Sequence, residues 1–289
     1  MKLKVFILLL AVCAFPMMVN AQGSFFVVLF NVSAQDALDV YLPGGDDDDL
    51  SMCTYFQRSW DPVGPTGGWL ANQFKAPDIK TPSPAGPEGG NALYGNSHAA
   101  DSTREGYWIE LNPAITGSFT MELFFYADEL DPSFAEYRIQ NLISSFWMTD
   151  NKAFELRYYG TTGPYGNAQL EAMTHNGTSE HNVKSATGLL SADVWYYAAV
   201  VYDHAANQIS LYFKSASDTG APALIGTAAP GWGTFTMQWI CLAAWPNPAG
   251  SCRDICGYID AFALSHAALD TSQFVLLTRL GVDEWMNYE

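Results

Sequence analysis

Apolar and polar side chains alternate along much of the chain, and this period of two restricts the possible fold more than any other feature. In GSFTMELFFYA one side collects four apolar residues, Phe119, Met121, Leu123 and Phe125. In AFELRYY one side carries Phe154, Leu156 and Tyr158, and the other side carries Glu155, Arg157 and Tyr159. This period is that of a β-strand, and turn-forming stretches such as DELDPS and TTGPYGN separate the runs. The sequence therefore predicts an all-β fold in which two antiparallel sheets pack face to face.

The first residues have the pattern of an export signal. Two lysines precede an apolar run from Val5 to Phe15, and VNA follows with the small residues that a signal peptidase recognises. The run is short and is followed by Pro16 and Asn20, which is a poor match to a membrane span. We therefore predict a signal peptide over residues 1–21 and a secreted or periplasmic protein that does not insert into a membrane once the leader is removed. A lipoprotein would use Cys13, but the preceding Val12 is bulky for that cleavage.

The net charge restricts the partners. The formal charge of −17 argues against nucleic acid and anionic membranes, because both select clustered Lys and Arg. It is compatible with cations and with neutral polymers. The hydrophobic content of 49% excludes a disordered chain.

Four cysteines follow the predicted leader: Cys53, Cys241, Cys252 and Cys256. An even number in an exported protein predicts two disulfides, for which three connectivities are possible. Zinc is disfavoured, since Cys252 and Cys256 do not have the C-x2-C spacing. We expect Cys53 to pair with one of the C-terminal cysteines, and the sequence does not decide which.

Four stretches, in this order, resemble the concanavalin A-like jelly-roll superfamily, in particular the laminin-G/pentraxin-like domains of secreted bacterial proteins. They are GNALYGNSHAADSTREGYWIEL, GSFTMELFFYADE, SADVWYYAAVVYDHAANQISLYFKS and GYIDAFALSHAALD. The third departs from the family pattern, with Lys214 and Ser215 where Asp-Gly is usual. The resemblance implies a jelly-roll sandwich over residues 60–276 with a short C-terminal helix. Residues 22–59 have no counterpart in the family pattern; we expect this N-terminal segment to join the sandwich and residues 277–289 to form a tail.

The resemblance also implies a metal ligand. Asp260 alternates with Ile259, so its side chain should leave the sandwich interior. In several members of the superfamily the Asp of a comparable strand resembles a ligand of structural Ca2+, and backbone carbonyls complete the shell. We therefore predict Ca2+ at Asp260, while a surface Asp or a local cap remains the alternative. The stretch GGDDDDL lacks the spaced carboxylates of a calcium loop and indicates a solvated acidic turn.

Tryptophans near amides and carboxylates are candidates for ligand contact. An indole face can stack on the C–H face of a sugar while amides bind its hydroxyl groups. The candidates are Trp147 with Asp150 and Asn151, Trp232 in PGWGTF, and Trp245 with Asn247. For each ring, packing in the core is the alternative. We predict a secreted, non-catalytic protein that binds carbohydrate or an extracellular protein through loops or the concave face of the jelly roll.

Two other functions are compatible with the same fold. A glycoside hydrolase needs two carboxylates across a cleft, but the nearest approach to the usual pattern, Glu129-Leu130-Asp131, is followed by Pro132 and resembles a turn. A polysaccharide lyase would need Arg, Gln, His and Tyr grouped on the concave sheet, and the five histidines are scattered. An enzyme of either kind and a structural or adhesive cell-surface protein therefore remain as alternatives.

Overall fold

The structure is a computed structural model. It describes residues 25–29, 39–41, 56–57, 74–75, 78–80, 82, 85–87, 92–96, 104–105, 107–132, 139–145, 148, 151–162, 165, 167–243, 253 and 255–279.

Strands dominate the described residues. In chain order they are β1 (Phe25–Leu29), β2 (Asp39–Tyr41), β3 (Phe56–Gln57), β4 (Phe74–Lys75), β5 (Asp78–Lys80), β6 (Ala92–Asn96), β7 (Arg104–Glu105), β8 (Tyr107–Ile115), β9 (Phe119–Ala127), β10 (Ile139–Ser145), β11 (Lys152–Tyr159), β12 (Leu170–Asn176), β13 (Glu180–Lys184), β14 (Trp195–Asp203), β15 (Gln208–Ser215), β16 (Ala223–Ala228), β17 (Met237–Leu242) and β18 (Cys256–Ser265). A 3-10 turn at Thr271–Gln273 and the short helix α1 (Val275–Arg279) follow them.

The strands form two large sheets. One has nine described strands in the order β16-β15-β14-β9-β18-β1-β2, with β6 also paired to β18 and β5 paired to β6. The other has seven, in the order β13-β12-β11-β10-β17-β8-β3. All described pairs in both sheets are antiparallel, and among the described strands only the small β4–β7 pair is parallel. The predicted two-sheet antiparallel sandwich with a short C-terminal helix is confirmed.

The core between the sheets follows the alternation. Phe119, Met121, Leu123 and Phe125 of β9 are fully buried there, and they meet Phe154, Leu156 and Tyr158 of β11. Burying one such side chain stabilises a fold by about 1.5–3 kcal/mol. The period of two thus correctly separates the side chains that fill the sandwich from those that face away from it.

The outer face of the nine-stranded sheet is also apolar, and the C-terminal segment packs on it. Phe124 and Tyr197 form a second cluster there with Phe274, Val275 and Leu276. Because this face is covered, β14 is apolar on both sides, as is usual for a central strand with two packed faces, and Thr120 and Glu122 on the outer side of β9 are buried as well. The C-terminal segment is therefore part of the folded domain.

The N-terminal strands pair with later ones. β1 pairs with β18, and β3 pairs with β8. The predicted boundaries at residues 21, 59 and 276 remain predictions. None of the described helices has the length and apolar composition that crossing a membrane requires.

Candidate functional site

Four polar residues lie side by side on the outer face of the seven-stranded sheet. Their strands are β10, β11, β12 and β13, and the pairing register places Asn141 opposite Arg157, Arg157 opposite Glu171, and Glu171 opposite Lys184. We call this set (Asn141, Arg157, Glu171 and Lys184) the polar row. It faces away from the core because Leu156 and Tyr158, the neighbours of Arg157 in β11, point into the core.

Ion pairs connect three members of the polar row. Arg157 Nε lies 2.7 Å from Glu171 Oε2, and Arg157 Nη1 lies 2.8 Å from Glu155 Oε2. Lys184 Nζ lies 3.2 Å from Glu171 Oε1, a distance typical of an ion pair, although the contact does not meet hydrogen-bond geometry. Arg253 Nη1 approaches Glu155 Oε2 more loosely, at 3.8 Å. One guanidinium therefore bridges two carboxylates.

Tyr159 completes the cluster. Its hydroxyl donates a hydrogen bond to Glu171 Oε2. The centroid of the Tyr159 ring lies 5.6 Å from the guanidinium carbon of Arg157 and 5.0 Å from Lys184 Nζ. Both distances are within the range of cation–π attraction. Burial raises the pKa of Tyr159, so the phenol is neutral at physiological pH. Its ring and hydroxyl are both held by the polar row.

The cluster is largely removed from water. Glu171 is 0% exposed and Arg157 is 5% exposed, whereas the Lys184 side chain at the sheet edge is 37% exposed. Burial alone would lower the pKa of Arg157, but the charges of Glu155 and Glu171 outweigh it and raise that pKa. Buried charges of this kind persist only when they are paired.

Asn141 is the exception within the polar row. Its side chain is fully buried, yet neither Oδ1 nor Nδ2 has a hydrogen-bond partner in the described part of the chain. An unsatisfied buried polar group costs about 1–3 kcal/mol, and folded proteins rarely leave one. The row therefore ends in an unused donor and an unused acceptor.

Asn151 and Trp232, both predicted to contact ligand, lie at one end of the sandwich. Asn151 is exposed with φ 58°, and its carbonyl oxygen is 3.2 Å from His175 Nδ1. Trp232 Nε1 donates to the carbonyl oxygen of His175 at 3.0 Å. The two residues thus share His175, but Trp232 is only 2% exposed and its ring packs on Tyr202 and other core rings. A buried indole offers no face for stacking, so Trp232 is a core residue in this structure.

The other predicted site residues divide between two groups. Trp147, Asp150, Trp245, Asn247, Cys53 and Cys252 lie outside the described residues. Cys241 and Cys256 are buried, and burial raises the pKa of the Cys256 thiol to about 12. The two disulfides remain a prediction.

Asp260 lies on the outer face of the nine-stranded sheet. The register of β18 against β9 shifts between Ile259 and Phe262, which places Asp260 in a bulge. The residue is 1% exposed, and a Cβ built at Gly86 would lie 2.7 Å from its Cγ. No group of three His, Cys, Asp or Glu side chains suited to a metal ion occurs among the described residues. The described side chains thus do not complete a calcium shell, and Ca2+ at Asp260 remains a prediction that depends on backbone carbonyls or on other residues.

The turn that contains Glu129 and Asp131 has a structural role. Asp131 accepts hydrogen bonds from the backbone nitrogen and the hydroxyl of Thr162, each at 2.8 Å. The carboxylates that do converge are Glu155 and Glu171, on neighbouring strands. We did not predict Asn141, Glu171 or Lys184 from the sequence, although the alternation in AFELRYY already placed Glu155, Arg157 and Tyr159 on one side.

Comparison with known proteins gives one family and several distant structures. Residues 102–273, more than half of the chain, match the family described as the concanavalin A-like lectin/glucanases superfamily. No curated protein matches the chain.

The similar solved structures include three whose names are informative. The CBM40 of the Ruminococcus gnavus IT-sialidase, bound to α2,3 sialyllactose, is 14% identical with a TM-score of 0.42, covering 58% of this chain and 84% of its own. A heptameric SAP-like pentraxin from Limulus polyphemus is 12% identical with a TM-score of 0.35, covering 55% and 70%. The NanB sialidase from Streptococcus pneumoniae is 12% identical with a TM-score of 0.41, covering 56% and 24%.

Similarities of this size do not assign a ligand. The family match, by contrast, covers most of the sandwich, from β7 to the 3-10 turn. The chain therefore belongs to the concanavalin A-like lectin/glucanases superfamily.

Proposed function

We propose that this protein is a carbohydrate-binding protein and that it binds its glycan at the polar row without reacting with it. The observation that carries the proposal is the buried amide of Asn141, whose donor and acceptor have no partner among the described residues and which lies beside three ion-paired residues. A sugar hydroxyl both donates and accepts a hydrogen bond, which is the complement of such an amide. Membership of a superfamily of lectins and glucanases agrees with this ligand class.

The polar row runs inward from the edge of the seven-stranded sheet, so a ligand would enter at that edge. Lys184 lies on β13, the edge strand of the seven-stranded sheet, and its side chain is partly exposed. Asn141 lies three strands further in, about 14 Å away at the usual strand spacing. The amide is 0% exposed, so a glycan of a few sugar units that enters past the exposed amine reaches it only after the side chains around the polar row move apart.

A glycoside hydrolase is the second candidate, because Glu155 and Glu171 both contact Arg157. Glycoside hydrolysis needs one carboxyl group that carries a proton for the leaving group and a second that acts as base or nucleophile. In this structure the Oε2 atoms of both carboxylates already contact Arg157, whereas hydrolysis needs both carboxyl groups to reach the glycosidic bond. The geometry therefore supports binding better than hydrolysis.

The predicted leader over residues 1–21 makes an extracellular or periplasmic glycan the expected ligand. A glycosylated extracellular protein would present the same chemistry to the polar row. The charge of −17 disfavours strongly anionic partners on the remainder of the surface.

A glycan array with the purified protein and two variants tests the proposal. Asn141→Leu removes the donor and the acceptor at similar volume, and Asn182→Leu changes an exposed amide on β13. We expect glycan binding by the wild type and by Asn182→Leu, and a loss of about tenfold or more in affinity for Asn141→Leu. Equal binding by all three proteins would contradict the proposal.

The enzymatic alternative has its own readout. Incubation with laminarin, alginate and similar polymers, followed by an assay for new reducing ends, detects cleavage. We expect none. Cleavage that is abolished by Glu155→Gln or Glu171→Gln would establish the hydrolase in place of the binding protein.

A further inference from the structure

The edge strand β16 lacks the charges that usually protect a sheet edge. In the described part of the chain it pairs only with β15, at one end of the nine-stranded sheet. An exposed edge presents unpaired N–H and C=O groups, and proteins usually block it with charged residues, proline or a bulge. Residues 223–228 read ALIGTA, without charge or proline. A bulge at Ile225, where the register with β15 shifts, is the one protective feature of this strand.

The neighbouring edge is different. β13 ends the seven-stranded sheet on the same side of the sandwich, and it carries Glu180, His181 and Lys184. Charged side chains on an edge strand oppose pairing with another strand. Of these two adjacent edges, only β16 is therefore open to a partner strand.

The absence of charge extends well beyond β16. Between Asp218 and Arg253 the sequence contains no Asp, Glu, Lys, Arg or His, in a chain that has 30 acidic and 13 basic residues. Two copies of a protein with a charge of −17 repel each other over most of their surfaces. The uncharged edge is the place where that repulsion is weakest.

β16 is also held in position and carries an exposed apolar side chain. A Cβ built at Gly226 would lie 3.2 Å from Val183 Cγ1, so the inner side of the strand rests on β13. Leu224 is 53% exposed, and it and Tyr165 are the large hydrophobic residues exposed among the described ones. Leu224 pairs with Tyr212 of β15, whose ring lies 5.3 Å from that of Phe274. The edge strand β16 is thus held in place by β13, and the exposed apolar side chain of Leu224 lies on it.

We propose that β16 pairs antiparallel with β16 of a second copy of this chain, so that two nine-stranded sheets join into one. Antiparallel pairing of a strand with its own copy follows a two-fold axis, and the same uncharged surface then serves both partners. The pairing satisfies the open backbone groups and covers Leu224 of both copies. The glycan site on the other sheet is not part of this interface.

Analytical ultracentrifugation of the purified protein at low and high sodium chloride measures the pairing. We expect a monomer–dimer equilibrium that shifts toward dimer at high salt, because salt screens the repulsion between two acidic molecules. Leu224→Lys should raise the dimer dissociation constant about tenfold or more, since it places like charges across the shared edge. Tyr165→Lys is the matched control, because Tyr165 is 54% exposed but lies outside β16. It should leave the dissociation constant unchanged.

Hydrogen exchange locates the interface. We expect amides of residues 223–228 to gain protection as the wild-type concentration rises, and not to do so in Leu224→Lys. A monomer at every salt and protein concentration would overturn the proposal. A dimer whose exchange at 223–228 is independent of concentration would overturn it as well, because the interface would then lie elsewhere.

Discussion

Glu122 should make the stability of this protein fall as the pH rises from acidic to neutral. The carboxylate lies on the outer face of β9 and is 0% exposed. Its Oε1 accepts a hydrogen bond from Val275 N at 2.7 Å, and its Oε2 accepts from Leu276 N at 3.1 Å and from the hydroxyl of Tyr197 at 2.8 Å. Through these bonds one side chain holds the start of α1 on the sheet.

Burial dominates the titration of this carboxyl group. Removal from water raises the pKa of Glu122 from 4.5 to about 7, although its three hydrogen-bond donors act in the opposite direction. In the unfolded chain the group titrates near 4.5, so between these values the folded protein holds a proton that the unfolded chain has released. The contribution of Glu122 to the free energy of unfolding is therefore fully present below pH 4.5 and is lost as the pH rises through 7.

The magnitude follows from the two pKa values. At about 1.4 kcal/mol for each pH unit between 4.5 and 7, ionisation of Glu122 removes about 3 kcal/mol from the free energy of unfolding. This is a large fraction of the stability of a typical domain. The loss should be almost complete at about pH 8.

Urea unfolding of the wild type and of Glu122→Gln, from about pH 4 to about pH 8, measures this effect. The amide does not titrate, so the difference between the two free energies of unfolding should change by about 3 kcal/mol in favour of the variant as the pH rises. All other titrating groups cancel in that difference. Tyr197→Phe removes one donor to the carboxylate and should move the transition to higher pH. Parallel curves for the wild type and Glu122→Gln would refute the reasoning.

Three further predictions concern packing and charge. Gly86→Ala should lower the free energy of unfolding by about 1–3 kcal/mol in urea titrations, because the added Cβ would lie 2.7 Å from Asp260 Cγ. As a control, Ala85→Ser changes the exposed preceding residue and should have little effect. Arg157→Met should cost about 3–5 kcal/mol in thermal unfolding, since it removes a cation from the buried Glu171; a cost below 1 kcal/mol would contradict the buried ion pair. If Asp260 holds Ca2+, EDTA should lower the Tm of the wild type and leave that of Asp260→Asn unchanged, and an unchanged wild-type Tm would remove the calcium prediction.

Alternation was sufficient to assign the faces of individual strands. The side-chain period of a strand is two, so Phe119, Met121 and Leu123 could be assigned to one side from the sequence alone. The same rule placed Glu155 and Arg157 on the opposite side from Leu156. These assignments needed no knowledge of which strands are neighbours.

The polar row could not be assembled in this way. Asn141, Arg157, Glu171 and Lys184 come from four strands, and the register between strands depends on turns and bulges that a single sequence does not specify. The bulge between Asn141 and Ile143 is an example, because it turns Leu142 and Ile143 both toward the core. Without the register, each of the four is an ordinary polar residue.

The position of Trp232 shows the opposite difficulty. The stretch PGWGTF has the composition of an exposed loop, which made its indole a candidate for stacking on a sugar. Gly231 and Gly233 both adopt positive φ, 67° and 57°, and the chain there turns so that the ring enters the core. Glycine makes such a backbone possible, but its presence does not reveal where the neighbouring side chain points.

Backbone amide chemical shifts, recorded while a glycan identified on the array is added, test the central claim most directly. We predict that the largest shifts occur on the polar row and its neighbours, in residues 139–145, 155–159, 170–173 and 180–184. Shifts concentrated near Asn151 and His175, or on the outer face of the nine-stranded sheet, would contradict it.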